Sequence, residues 1–204
     1  MDKLLLGTTN LGKLQELRQL LLGLPYRVVS PGEVKLKRPV QVQETGATFE
    51  ENAILKARGY AQASGLLALA DDSGLEVEAL GGEPGVYSAR YGGEELSYPQ
   101  RCEMLLERLR GCEGEQRRAR FRCAMALATP KGQVVAWEAA VEGLIAHEPR
   151  GAGGFGYDPI FYVPELGATF AELRPGLKNL YSHRGRAALK ARQVIELWAE
   201  GVRA

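Results

Sequence analysis

The sequence predicts an α/β protein, and three observations carry that prediction. Short apolar runs alternate with segments of helical periodicity along the 204-residue chain. Residues 119–129 and 134–147 are two long strand-like stretches separated by the turn "TPKGQ", the pattern of an antiparallel hairpin. Residues 48–65 open on Thr48, with Glu51 three positions on, and close on Gly65, which are the start and stop signals of a helix.

Each element follows from local chemistry. Lys3 to Gly7 reads as a first strand. From Leu11 the apolar stripe Leu14, Leu17, Leu20 and Leu21 makes a helix, ended by Gly23 and Pro25. Tyr26 to Val29 is a second strand, and Pro31 to Thr45 is polar and extended. Thr48 to Ala63 is the capped helix. Leu66 to Ala70 is a strand running into "DDSG", with Leu75 to Leu80 as its hairpin partner. Gly81 to Gly93 is a glycine-rich loop, and Tyr98 to Leu109 is a helix with Pro99 in its first turn. After the long hairpin come a glycine cluster, a strand at Ile160 to Val163 and a short helix near Phe170. An amphipathic helix from Ser182 to Glu200 ends the chain. With no linker, repeat or low-complexity tract, residues 1–204 read as one domain with two lobes sharing a sheet.

Composition narrows the function classes. The 26 basic and 25 acidic side chains leave a net charge of +1, so no global field draws the protein to nucleic acid or an anionic membrane. No apolar run approaches the ~20 residues that span a bilayer. The N-terminus lacks the basic region and cleavage site of a signal peptide. Cys102, Cys112 and Cys123 show no metal-ligand spacing, which fits free thiols in a reducing cytoplasm.

Five stretches carry chemistry. "GTTNLGK", Gly7 to Lys13, sits between a strand and a helix, where backbone N–H groups and Lys13 suit an anion. It lacks the spacing of a Walker A loop and reads equally as a capped turn. Lys56, within "ENAILKA", reads by itself as a solvated lysine. In "ADDSG", Asp71 and Asp72 point to opposite sides of an extended strand, so only one faces a cleft at the strand's end. A carboxylate there suits Mg²⁺, which takes one or two carboxylates plus phosphate oxygens; Asp71 to Gly74, "DDSG", also make an ordinary β-turn. "GAGGFGYDP" places four glycines beside Phe155 and Tyr157, as expected of backbone pressed against a planar ligand; a flexible loop is the alternative, less favoured because mobile loops seldom carry two aromatics. In "KNLYSHRGRA", Lys178, His183 and Arg184 cluster at the start of the last helix, with Ser182 as its cap. Basic groups at a helix N-terminus oppose its dipole and are tolerable around an anion; the stretch reads equally as a surface basic patch.

In this order the stretches "TTNLGKLQEL", "ETGATFEENAILKA", "ADDSGLEVEALGGEPGVYSARYGG", "GGFGYDPIF" and "SHRGRAALKA" resemble the inosine triphosphate pyrophosphatase family over nearly the whole chain. The resemblance implies an elongated two-lobed α/β fold with a long mixed central sheet flanked by helices. It implies a cleft between the lobes and a homodimer. It implies Mg²⁺-dependent hydrolysis of ITP, dITP and XTP to the monophosphate and pyrophosphate. The motifs place triphosphate contacts on Thr8, Thr9, Asn10, Leu11, Gly12 and Lys13, and metal ligands on Glu44 and Asp72. Asp72 is also the implied general base. Further nucleotide contacts fall on Lys56, Ser73, Phe155, Gly156, Tyr157, Asp158, Lys178, His183 and Arg184.

Those residues suit the reaction. Lys13, Lys56, Lys178 and Arg184 are expected to offset phosphate charge, since phosphoryl chemistry depends on positioning and charge stabilisation. Donors from His183, Arg184 or the backbone would accept a 6-keto purine and repel the adenine amino group. A ring such as Phe155 or Tyr157 would hold any purine by stacking. A pyrophosphatase for other modified nucleotides and a nucleotide sensor without turnover are the competing readings. A paired-carboxylate site at Asp71 and Asp72 is disfavoured, because glycosidase carboxylates lie across a substrate.

Overall fold

A computed structural model describes residues 1–37, 40 and 42–199. The strands are β1 (Lys3–Leu6), β2 (Arg27–Val29), β3 (Leu67–Val77), β4 (Arg118–Ala128), β5 (Val134–Ile145), β6 (Phe161–Val163) and β7 (Ala168–Thr169). The α-helices are α1 (Leu11–Leu20), α2 (Phe49–Ser64), α3 (Tyr98–Arg108), α4 (Pro175–Tyr181) and α5 (His183–Ala199). The strands form one seven-stranded sheet in the order β2-β1-β3-β4-β5-β6-β7. It is mixed: β1 pairs in parallel with β2 and β3, while β6 pairs antiparallel with β5 and β7.

The chain divides into two compact units. The first comprises Met1–Asp72, Cys123–Ala139 and Arg184–Ala204; the second comprises Ser73–Arg122 and Ala140–His183. In the first unit, Leu4, Leu6 and Leu69 pack with Leu17 and Leu21 of α1, Met125 and Leu127 of β4, and Ala187, Ala191 and Ile195 of α5. The helical spacing of these alanines and Ile195 gives α5 a narrow apolar stripe, which admits close approach to its neighbours. In the second unit, Leu105 and Leu109 pack with Phe121, Ile145, Tyr157, Phe161 and Phe170.

The capped helix is found as expected. Thr48 accepts a hydrogen bond from the Glu51 N–H, and Gly65 closes α2 in the left-handed conformation at φ 74°. The hairpin turn is likewise present, with the Thr129 N–H donating to the Gln133 carbonyl at 2.9 Å.

Three expectations need correction. First, the double aspartate does not end a strand: β3 continues through Asp71, Asp72, Ser73 and Gly74 to Val77. Leu75 and Val77 belong to that same strand, so Leu75–Leu80 is not a hairpin partner; Glu78–Leu80 is a 3₁₀ turn. Second, a separate short helix, α4, carries Lys178 before the last helix; α5 starts at His183, with Ser182 directly before it at the expected cap position. Third, Pro31–Glu33 is a 3₁₀ turn, so the polar segment does not start extended. Arg38, Pro39 and Gln41 of that segment, and Glu200 at the expected end of α5, lie outside the described residues. Among the described residues no helix is long and apolar enough to cross a membrane.

Candidate active site

The first unit gathers seven charged side chains around β3. Asp71 and Asp72 are both buried, at 1% and 6% exposure, and take separate partners, as alternation along a strand requires. The Asp71 carboxylate meets Lys13 Nζ at 2.9 Å and the Arg184 guanidinium at 3.4 Å. Arg184, itself buried, also donates to Glu16 at 2.7 Å. Burial works to raise the Asp71 pKa, but Lys13, Arg184 and Lys56 outweigh it and hold the group well below the ordinary carboxylate range. Arg184 is held charged by Asp71 and Glu16 despite its desolvation.

Asp72 faces the other set. Lys56 Nζ donates to its Oδ1 at 2.7 Å, and Asn52 Nδ2 donates to its Oδ2 at 3.3 Å. Lys56 also meets Glu44 Oε1 at 3.2 Å, so the two carboxylates expected to hold metal converge on one ammonium. Burial pushes the Asp72 pKa up, and the opposing pull of Lys56 and Lys13 does not cancel it. For Lys56, burial acts to lower the pKa, but Asp72, Asp71 and Glu44 hold it above the usual value. The solvated-lysine reading is therefore set aside: Lys56 is an interior cation bound by two carboxylates.

Helix starts place these groups. Asn10 caps α1, its side chain accepting from the Lys13 N–H at 3.0 Å, while Thr8 Oγ1 accepts from the Asn10 N–H at 3.2 Å. This turn fixes the stem of Lys13; Thr9, Asn10 and Leu11 are exposed, and Gly12 is half-buried. At Gly7 a side chain would collide with Tyr60 Cδ2 at 2.7 Å, so the chain leaves β1 at a point only glycine fits.

The second unit holds the other expected contacts. Asp158 is buried; its Oδ2 accepts from the Phe155 N–H at 2.7 Å and from Lys178 Nζ at 2.5 Å. Lys178 lies 4.7 Å from the Phe155 ring centroid, a cation–π contact. His183 stacks on Phe121, with centroids 4.5 Å apart and planes at 14°. Tyr157 is buried in the core, edge-on to Tyr98, and donates its hydroxyl to the Ser88 carbonyl at 2.9 Å. Its ring offers no face for a purine, which leaves Phe155 as the stacking candidate. Gly156 adopts a positive φ of 68°, and Ser73 is half-buried on β3.

Several sequence readings change here. The glycine cluster is shaped by its own chain: a side chain at Gly154 would meet Asp158 Oδ2 at 2.1 Å, and one at Gly151 the Ala171 backbone at 2.4 Å. Lys178 sits on its own helix with Asp158 as partner, not at the start of the last helix. The Arg184 guanidinium engages Asp71 and Glu16, so it braces Asp71. Glu16 and Asn52 were not singled out in the sequence. Each had a signal: Glu16 is three residues after Lys13, and Asn52 four before Lys56, so each shares a helix face with a candidate lysine.

Lys13, Lys56 and Arg184 face Glu16, Glu44, Asp71 and Asp72, three cations against four carboxylates. The cluster alone therefore offers no surplus positive charge to a polyphosphate. Among the described residues no group of three or more His, Cys, Asp and Glu side chains is arranged to hold a metal ion. Glu44 and Asp72 supply two hard oxygen donors already meeting one cation. That donor set suits an ion which fills its remaining positions with water and phosphate oxygens.

Comparison with known proteins agrees with the sequence resemblance. Residues 4–194 match the model of the Ham1 family. A dITP/XTP pyrophosphatase of Thermus thermophilus is 52% identical over 199 residues, covering 98% of this chain and 93% of that protein. A dITP/XTP pyrophosphatase of Desulforamulus reducens is 51% identical over 193 residues, covering 95% of each. The solved structure of a HAM1 protein from Coxiella burnetii is 43% identical and matches with a TM-score of 0.85 over 96% of this chain and 98% of that one. Through its profile, its relatives and its mixed α/β sheet, the chain belongs to the Ham1 family.

Proposed function

We propose that this protein hydrolyses non-canonical purine nucleoside triphosphates, dITP, ITP and XTP, to the monophosphate and pyrophosphate, with Asp72 as its catalytic carboxylate. The observation that carries the reading is the state of Asp72. It is a buried carboxylate held by Lys56 and Asn52, one on each oxygen. A carboxylate fixed in this way is oriented to take a proton from an attacking water. Asp72 accepts that proton as the water attacks the α-phosphorus; the bond to the bridging oxygen breaks, and pyrophosphate leaves with the electron pair.

The residues around Asp72 divide the remaining work. The turn Thr8–Lys13 takes the triphosphate, with the α1 dipole favouring negative charge at that end. Lys56 exchanges Asp72 for a phosphate oxygen when substrate enters, which frees the Asp72 carboxylate. Asp71 stays ionised and keeps Lys13 and Arg184 in place. Glu44 and Asp72 would hold Mg²⁺, which supplies charge neutralisation for the phosphate oxygens when bound. Within the second unit, Asp158 fixes Lys178 and the Phe155 backbone, and Phe155 is the candidate ring for stacking on a purine. Ser73, Gly156, Tyr157 and His183 of the same unit are further candidate nucleotide contacts. Residues 1–204 act as one catalytic domain of a cytoplasmic homodimer; a monomeric mass in solution would contradict the dimer.

The relatives named dITP/XTP pyrophosphatase support the substrate class. A 6-keto acceptor common to hypoxanthine and xanthine is a chemical basis for choosing them over adenine, since a donor-lined site leaves the adenine amino group unpaired. The test is a panel of ITP, dITP, XTP, GTP and ATP with and without Mg²⁺, with the released phosphorus species identified. The expected outcome is Mg²⁺-dependent pyrophosphate release with kcat/KM for ITP and XTP at least about 100-fold above ATP. Release of orthophosphate, or equal kcat/KM across the panel, would contradict the proposal.

A further inference from the structure

We infer that Asn52 is a positioning residue for the reaction, setting the orientation of the Asp72 carboxylate and tying it to the segment that carries Glu44. This rests on the reading of Asp72 as the reacting carboxylate.

Asn52 is fully buried on α2, one helical turn before Lys56. A carboxamide is costly at such a position unless both its ends are bonded. Both are. Its Oδ1 accepts from the Gly46 N–H at 2.8 Å, and its Nδ2 donates to Asp72 Oδ2 at 3.3 Å. The backbone donor at Gly46 also settles which end of the amide faces Asp72: the oxygen must meet an N–H, so the NH₂ must face the carboxylate.

The two oxygens of Asp72 are thereby made different. Oδ2 is engaged by a neutral donor that cannot leave without unsatisfying two buried groups. Oδ1 is engaged by Lys56, a flexible cation with Glu44 as a second partner. When a phosphate draws Lys56 away, Oδ1 is the oxygen released, in an orientation Asn52 has already fixed. Gly46 lies two residues after Glu44, and a side chain there would meet Asn52 Oδ1 at 2.7 Å. Glycine at 46 is thus what lets the amide reach both the Glu44 segment and β3.

Two substitutions separate positioning from packing. Asn52→Asp keeps the shape and the acceptor for Gly46, but puts a carboxylate oxygen against Asp72. Asn52→Ala removes both bonds and leaves a good helix former. Misplacement of a reacting group by about 1 Å costs on the order of 100-fold in rate. Positioning therefore predicts an ITP kcat about 100-fold down in Asn52→Asp, and at least about 10-fold down in Asn52→Ala, with KM changed less than about 3-fold. Packing alone predicts the reverse order, with the isosteric Asp variant near the parent; that order would overturn the inference. So would a loss confined to KM. Should Asn52→Asp fail to fold, Asn52→Ala with an unchanged kcat is sufficient to overturn it. A crystal structure of Asn52→Ala supplies a readout independent of turnover. The Asp72 carboxylate is expected to rotate, and an unmoved carboxylate would contradict the inference. If the parent protein hydrolyses no triphosphate, the reading of Asp72 as the reacting carboxylate falls, whereas an active parent with unaffected Asn52 variants removes only the role of Asn52.

Discussion

Asp71 and Asp72 are neighbours in sequence with opposite electrostatics, and the difference decides what each can do. Asp71 is surrounded by cations, and its folded-state pKa lies below the unfolded value. It contributes stability at all pH above the ordinary carboxylate pKa of about 4, and that contribution is lost as pH falls through its depressed folded value. Asp72 is raised by burial, so the sign reverses. Its folded form favours the proton, and its contribution is lost as pH rises from about 4 through the raised value. At pH 8 the Asp71 charge is a support, whereas the desolvation of the Asp72 charge is set against its hold on Lys56. Asp71→Asn leaves buried Arg184 short of a partner and is expected to lose about 3 kcal/mol, lowering Tm by roughly 10 °C. Asp72→Asn leaves Lys56 with Glu44 and removes a desolvated charge, so it is expected to lose less than Asp71→Asn at pH 8. Thermal unfolding of both variants at pH 8 checks this; a larger drop for Asp72→Asn than for Asp71→Asn would contradict it.

At the scale of elements, the strand that carries both aspartates was the least legible part of the sequence. Asp-Asp-Ser-Gly has the local preferences of a turn, and isolated carboxylates would indeed stop a buried strand. The strand continues because Lys13, Lys56 and Arg184 reach it from α1, α2 and α5, and pair the charges that would otherwise need water. Those partners lie up to 113 positions away, so no local window contains them. By contrast α2 was legible because its cap, stripe and terminal glycine are local, and the hairpin because its turn residues are local. Arg117 shows the same limit in the second unit. It reads as an ordinary surface arginine, yet it is buried and donates to the carbonyls of Leu109, Cys112, Ile145 and Ala146 at 2.6–3.2 Å. It thereby ties the end of α3 to the end of β5. Arg117→Leu would leave these carbonyls short of donors and is expected to destabilise the protein by about 3 kcal/mol. Urea unfolding checks it, and an unchanged midpoint would contradict the tie.

At the scale of the molecule, membership of the Ham1 family follows from motifs spread from residue 4 to residue 194. The individual stretches were ambiguous, and their order was not. The structure changes how the candidate residues are understood. The sequence offered four free cations for a triphosphate, whereas the fold pairs each of them with a carboxylate. In the proposed mechanism substrate charge would be met by exchange of partners around Lys56 and Lys13, helped by the divalent cation that Glu44 and Asp72 would hold. Such a site needs one carboxylate that is held but releasable, the part proposed for Asp72, while Asp71 is bound by Lys13 and Arg184. The most direct measurement is the single-turnover rate of ITP hydrolysis by Asp72→Asn beside Asp71→Asn, with nucleotide binding and Tm recorded for each. The account predicts that Asp72→Asn binds ITP, stays folded and loses about 10³-fold or more in rate, a loss in the range of a general base. Turnover by Asp72→Asn within about 10-fold of the parent would contradict it, since a base contributes about 10²-fold at least.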